Sequence, residues 1–367
     1  MFRMTKGSEK GDDDGLGWMM DYMAKWPLMQ EMLWYPPKVD VGQTPHDIVW
    51  QKDMVSLLHY RPVDGKKAKG NPLLIVYALI NKPYILDLEP KRSVVEALLQ
   101  KGNDIYMIDW GTPEEGDRYL CTEDYVERYM DEIVDWIRES RGLDKISLMG
   151  YCIGGTLVSI YASIHPEKIQ NLIVMAGPID FSTDQSLLNV WTSADYFEPA
   201  KFADALGLIP VDLFTTSFMM LDPVANMHLK YVDLWENADN EKFVETFFRM
   251  EKWIHDGVPM TGAFYKELIG KWYQQNQLAS GKLEVNGAKV DLGDISMPLL
   301  TITGSRDHIV PPESTEALLD LVSSKDKDSI RCDSGHIGLS VGGMAHKQVW
   351  PNVADWLKRR SGRRTKS

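Results

Sequence analysis

The chain has 367 residues, 44% apolar and 25% charged. This is the balance of a soluble globular protein, long for one domain and short for two full-sized ones. A formal charge of −13 argues against wholesale nucleic-acid binding, and no apolar run approaches a membrane span. Three widely spaced cysteines, Cys121, Cys152 and Cys332, suit a reducing cytoplasm rather than a disulfide framework, and no secretory signal is read at the start.

In chain order, residues 1–15, with their short acidic run 12–14, read as disordered. Residues 16–34 are dense in Trp, Met and Tyr (Trp18, Met19, Tyr22, Met23, Trp26, Met29, Met32, Leu33) at spacings of three and four. That spacing predicts a helix with most of these on one stripe and a kink at Pro27. Two readings stand for it: packing on its own domain, or a docking face for a partner or apolar surface.

The core is expected from about residue 55, where 55–60 alternate as a strand. A buried strand at 73–78, a loop at 79–83, a helix through 94–102, a strand at 105–110 and a long helix at 122–141 follow. Next come a buried strand at 145–149, the run Gly150-Tyr151-Cys152-Ile153-Gly154-Gly155, a buried helix from 156 and a strand at 172–176. Strands alternating with helices predict an α/β fold with a mostly parallel sheet covered on both faces.

A strand that turns sharply into a helix around Gly-x-Cys-x-Gly-Gly is the pattern of a nucleophile elbow with sulfur in place of oxygen. Its glycines remove side chains that would clash. Such a turn lifts Cys152 above the carboxyl edge of the sheet, at the positive end of a helix dipole that favours thiolate. The bland alternative is a buried structural cysteine beside a helix start.

The alternation stops over 179–296, an irregular stretch rich in aromatic residues. It reads as a helical cap inserted before the next strand, a lid over an apolar tunnel; a decorative subdomain is the competing reading. A strand at 298–304 then leads into Asp307, and one at 329–332 into His336. Nucleophile, acid and histidine thus occur in the order of an α/β-hydrolase fold, each at a strand end. His308 is the competing base, but its loop already presents the acid. His46, His59, His165, His228, His255 and His346 read as surface or packing residues, and no spacing suggests zinc.

The division that results is a tail and helix at 1–40, a catalytic core at 41–178 and 297–360, a cap at 179–296 and a basic tail at 361–367. The basic run from Lys358 to Lys366 reads as a solvated end.

Together, Gly150 to Gly155, the run Gly304-Ser305-Arg306-Asp307-His308-Ile309-Val310-Pro311, the run Ser334 to Ser340 and the run Tyr77 to Leu88 resemble the signatures of polyhydroxyalkanoate synthases. The nearest likeness is to the short catalytic subunit of two-component synthases, including archaeal-type proteins, over roughly 39–356; the first forty residues look least like the family. The resemblance implies Cys152 as the acylated nucleophile, His336 as general base and Asp307 as the triad carboxylate. It implies (R)-3-hydroxyacyl-CoA, with a short acyl chain, as substrate and a polyester in cytoplasmic granules as product. No cofactor is implied, since CoA belongs to substrate and product. An accessory subunit of the PhaE type and a homodimer are also implied.

For the oxyanion, the fold suggests the Ile153 backbone N–H and a second donor from Leu79, Ile80 or Asn81. A thiol suits a thioester donor, because the exchange is nearly isoenergetic. Two rivals stand beside this reading: a dienelactone-hydrolase-like Cys enzyme, which lacks a cap of this length, and an inactive granule scaffold.

Overall fold

Continuous apolar runs become strands here because both faces of the sheet are covered, so every side chain can be buried. The structure, a computed structural model, describes residues 17–63, 70–183 and 186–361. The expected disordered start and most of the basic tail lie outside these residues, as do the side chains of Trp18, Met19 and Tyr22.

Eight strands form the main sheet: β1 (His46–Lys52), β2 (Val55–Tyr60), β3 (Pro72–Val76), β4 (Asp104–Asp109), β5 (Ile146–Tyr151), β6 (Ile169–Met175), β7 (Leu299–Gly304) and β8 (Lys327–Cys332). Their order is β1-β2-β4-β3-β5-β6-β7-β8. The β1/β2 and β2/β4 pairs are antiparallel, and the remaining pairs are parallel. This is the mostly parallel α/β-hydrolase sheet that the sequence predicts. It begins one strand earlier than expected, because β1 is a half-exposed edge strand that lacks a buried run. At the other edge, β8 exposes Lys327, Asp328, Ser329 and Arg331.

Helix α1 (Gly17–Trp34) carries Pro27 in its interior. Helix α2 (Val94–Gln100) starts at Ser93, whose hydroxyl accepts the Glu96 N–H, and α3 (Asp131–Arg141) stops at Gly142 with φ 61°. Helix α4 (Ile153–Ile164) is buried along almost its whole length. Between β6 and β7 the chain forms several helices, the longest being α5 (Glu241–His255). Aromatic side chains from separated parts of that segment pack on one another: Phe197, Phe202 and Phe214 all meet Tyr265. The last helix, α6 (Gly343–Arg360), ends with Arg360 paired to Asp326 and Asp328 and stacked over Trp356.

The expected stripe on α1 is only partly realised. Met29 and Met32 are buried against Leu234, Ala238 and Val244. Met20, Met23, Trp26 and Leu33 remain exposed, and so do Trp34 and Tyr35. A stripe needs a partner surface along its whole length, and the segment below α1 buries side chains around Met29 and Met32 while meeting Trp26 through a tilted contact with Trp235 that leaves it exposed.

Candidate active site

Cys152 sits between β5 and α4 with φ 57° and ψ −131°, a conformation costly for a residue with a side chain. Its N–H donates to the Met175 carbonyl (3.0 Å), and its carbonyl accepts the Gly155 N–H (2.8 Å). The flanking glycines are required by space. A Cβ on Gly150 would lie 2.3 Å from the Gly154 carbonyl oxygen, and one on Gly154 would lie 2.1 Å from that of Val76. On Gly155 it would meet the Gly177 Cα at 2.8 Å. The helix start can therefore press against β3 and β6 only without side chains there, while Cys152 stays partly exposed at the head of a twelve-residue helix.

Asp307 follows β7 and is buried. Its Oδ1 accepts the N–H groups of Ile309 (3.0 Å) and Val310 (2.9 Å), and its Oδ2 accepts from His336 Nδ1 at 2.6 Å. Two fixed amides thus aim the carboxylate, and the carboxylate aims the imidazole. With Nδ1 committed to Asp307, Nε2 is the nitrogen left for other chemistry. Burial works against the imidazolium, but the charge of Asp307 and its hydrogen bond outweigh it; His336 is held well above its usual value.

Tyr151, which the sequence did not single out, completes the support. Its ring stacks on that of His336 (5.1 Å between centroids, 27°), and its hydroxyl donates to the His336 carbonyl oxygen at 3.1 Å. Burial first of all pushes its phenol up to about 12. Its ring also lies 5.4 Å from that of the buried Tyr77, tilted by 49°. Cys152, Asp307 and His336 thus follow the carboxyl ends of β5, β7 and β8, with Asp307 bonded to His336 and Tyr151, the neighbour of Cys152, stacked on the same imidazole. The available signal for Tyr151 was its position next to the nucleophile, where a strand residue points to the opposite face.

Ile153 opens α4 and is buried. Leu79 and Ile80 are buried and Asn81 half-buried in the loop after β3. The close approach of Gly154 to Val76 and Tyr77 sets the first turn of α4 against the start of that loop. His308 makes its contact through the backbone, its carbonyl accepting from the Ser186 hydroxyl at 3.4 Å. His59 on β2 bonds Asp104 (2.8 Å), and His165, at the far end of α4 from Cys152, bonds Glu127 (3.1 Å). Among the described residues no group of three or more His, Cys, Asp or Glu could hold a metal ion.

A cavity of about 1040 Å³ lies apart from these three residues, lined by Tyr119, Phe197, Lys266 and Gln274 among others. Its cations are already partnered: Arg118 with Glu115, Lys266 with Asp204 and Lys271 with Glu267.

This geometry defines an α/β-hydrolase-fold protein with a cysteine at the elbow. A family model described as "alpha/beta hydrolase fold" matches residues 71–342. The soluble variant of monoglyceride lipase from Saccharomyces cerevisiae superposes with a TM-score of 0.51 at 14% identity, covering 90% of this chain and 99% of that one. The chain also matches "Poly-beta-hydroxybutyrate polymerase (PhaC) N-terminus" over residues 37–98.

It is 39% identical over 343 residues to the poly(3-hydroxyalkanoate) polymerase subunit PhaC of Allochromatium vinosum, covering 93% of this chain and 96% of that one. To the subunit of the same name from Haloferax mediterranei it is 45% identical over 324 residues, covering 88% of this chain and 66% of that longer protein. The subunit of Synechocystis is 38% identical, covering 88% of this chain and 86% of the relative. The chain belongs to the poly(3-hydroxyalkanoate) polymerase subunit PhaC family, which makes it an enzyme of the acyltransferase class.

Proposed function

We propose that this chain polymerises (R)-3-hydroxyacyl-CoA, with 3-hydroxybutyryl-CoA as the substrate of first choice, through an acyl group carried as a thioester on Cys152. The observation that carries the reading is a cysteine in a nucleophile elbow beside a buried His336–Asp307 pair, in a member of the PhaC family.

In this reading His336 Nε2 takes the Cys152 proton, and the thiolate attacks the thioester carbonyl. The oxyanion is met by the Ile153 N–H and by a donor from the loop Leu79, Ile80, Asn81. Collapse expels CoA as its thiolate, which recovers the proton from His336. His336 then accepts the proton of a substrate 3-hydroxyl as that oxygen attacks a second acyl thioester, and one ester bond forms for each thiol released. Asp307 fixes the imidazole through Nδ1, turns Nε2 toward the reaction, and stabilises the protonated form that His336 takes when it holds the Cys152 proton. Residues 179–296 act as a cap whose packed aromatic side chains exclude water, so that transfer to the chain end outruns hydrolysis. An accessory subunit of the PhaE type, a homodimer and the surface of a polyester granule are the partners this reading carries.

The test is incubation of the chain, with and without an accessory subunit, with 3-hydroxybutyryl-CoA, following CoA release and the product. Insoluble polyester supports the reading. Stoichiometric free 3-hydroxybutyrate without polymer would make the protein a thioester hydrolase and overturn it.

A further inference from the structure

The loop after β3 is fixed from above by the segment inserted between β6 and β7. The Ile80 carbonyl accepts the Val258 N–H at 2.8 Å, and Asn81 pairs with Gly257 in an isolated antiparallel bridge. Two residues on, the Lys82 carbonyl accepts the Trp253 indole N–H at 3.0 Å, and the Tyr84 hydroxyl donates to Asp256 Oδ2 at 2.8 Å. Trp253 lies near the end of α5, and Asp256, Gly257 and Val258 follow it directly.

Helix α5 is itself anchored to the core. Arg249 Nη1 donates to the buried Glu89 at 2.9 Å, and the Thr246 hydroxyl bonds the same carboxylate at 3.0 Å. Gly257 has no room for a side chain beside its neighbour on the other side: a Cβ there would lie 2.5 Å from a Val211 methyl. Below the loop, the Tyr77 carbonyl accepts the Trp110 indole N–H at 2.9 Å.

A trans peptide is planar, with its C=O and N–H pointing opposite ways. Fixing the Ile80 carbonyl on Val258 therefore also fixes the direction of the Asn81 N–H, and fixing the Tyr77 carbonyl on Trp110 does the same for the Ala78 N–H. The peptide planes of the loop are set from both sides, and the upper clamp consists of residues outside the hydrolase sheet.

We infer that Trp253 and Asp256, with the Gly257–Val258 backbone, are positioning residues that hold the loop of residues 79–81 in its oxyanion-binding orientation. They act through that loop and do not touch the reacting atoms. This coupling rests on the oxyanion role given above to that loop. It makes the orientation of the inserted segment a determinant of acylation rate, since donors displaced by a fraction of an ångström lose much of their effect on a developing oxyanion.

The test uses two reactions of the same sulfur. Alkylation of Cys152 by iodoacetamide needs the thiolate but builds no oxyanion, whereas acylation by 3-hydroxybutyryl-CoA needs both. Trp253→Phe, which keeps an aromatic ring and removes the N–H, and Asp256→Ala, which removes the acceptor of the Tyr84 hydroxyl, are expected to slow single-turnover acylation by about ten- to a hundredfold, with KM little changed and alkylation within about twofold of the parent. Gly257→Ala is expected to do the same and to be rescued in part by Val211→Ala, which vacates the space. Acylation unaffected in all three variants overturns the inference, as does alkylation falling in parallel with acylation. A parent chain that alkylates at Cys152 but never takes an acyl group from the CoA thioester would sink the functional reading; the clamp would then be judged by acylation from p-nitrophenyl acetate under the same criteria.

Discussion

Strands β3, β5 and β7 bury every one of their side chains, whereas the helix Val211–Met220 in the segment between β6 and β7 buries none completely. In the sheet, each residue is constrained on two faces and at its backbone, and Cys152, Asp307 and His336 inherit that rigidity at the strand ends. The inserted segment is less uniform: Phe264 and Trp272 are buried in the same core as the sheet, while the helix Val211–Met220 and the residues after it leave Met220, Val224, Met227 and Leu229 exposed. Rigid scaffolds fix reacting atoms, while adaptable layers set what reaches them. The clamp from Trp253 and Val258 onto the Ile80–Lys82 loop is one place where the two regions meet, and the Arg249–Glu89 pair is another.

Changes in the rigid region should cost the most. Cys152→Ala is expected to abolish CoA release, a loss of about 10⁴-fold or more, measured with 3-hydroxybutyryl-CoA; substantial turnover by that variant would remove the mechanism. Asp307→Asn keeps the shape but loses the carboxylate that aims His336, and turnover should drop by about 10³- to 10⁴-fold. Acylation of Cys152 should survive better than elongation, and single-turnover labelling that shows equal collapse of both steps counts against a separate role in elongation.

Gly154→Ala places a Cβ against the Val76 carbonyl oxygen at 2.1 Å. Backbone cannot yield as a side chain can, so a loss of about 1–3 kcal/mol or more is expected, visible as a lowered Tm. An unchanged Tm would mean that α4 does not press on β3 in solution.

The elevated His336 gives a pH-dependent contrast. A value raised above the ordinary 6.5 means that folding favours the protonated ring. That contribution is complete below about pH 6.5 and fades as pH climbs through the raised folded value. The stability gap between the parent and His336→Gln, read by urea titration at several pH values, should narrow as pH rises; a widening gap would show that the neutral ring is the form favoured by folding.

The smallest effect belongs to α1, which seats on the adaptable region. Met23→Ala removes an exposed side chain on α1 and should change stability by no more than about 0.5 kcal/mol. Met29→Ala on the same helix should cost measurably more, because Met29 is packed against the inserted segment. Equal effects would mean that α1 does not seat there.

The same contrast explains what could be read from the amino-acid order. Runs such as 72–76 and 299–304 are legible because burial on both faces demands apolar residues without interruption. Cys152 and Asp307 were legible because each follows such a run, His336 only from its place in the chain order after the largely exposed β8, and the elbow glycines because no side chain fits where they stand. Edge strand β1 was passed over, since Asp47, Ile48 and Gln51 face solvent and the run lacks a buried stretch. The clamp was invisible for another reason: Ile80 and Val258 meet through backbone atoms, which any residue except proline at the donor position provides. On α1, spacing identified a stripe but could not say how far the facing surface extends.

The outer strand β8 has one further implication. An unpaired sheet margin is a template for edge-to-edge association, and this one carries Lys327, Asp328 and Arg331 toward solvent. Two copies meeting margin to margin would have to strip water from those ionic groups before their backbones could pair. Crowding many molecules together should therefore leave this side of each one unadhesive, and confine self-association to faces that carry methionine and aromatic side chains instead.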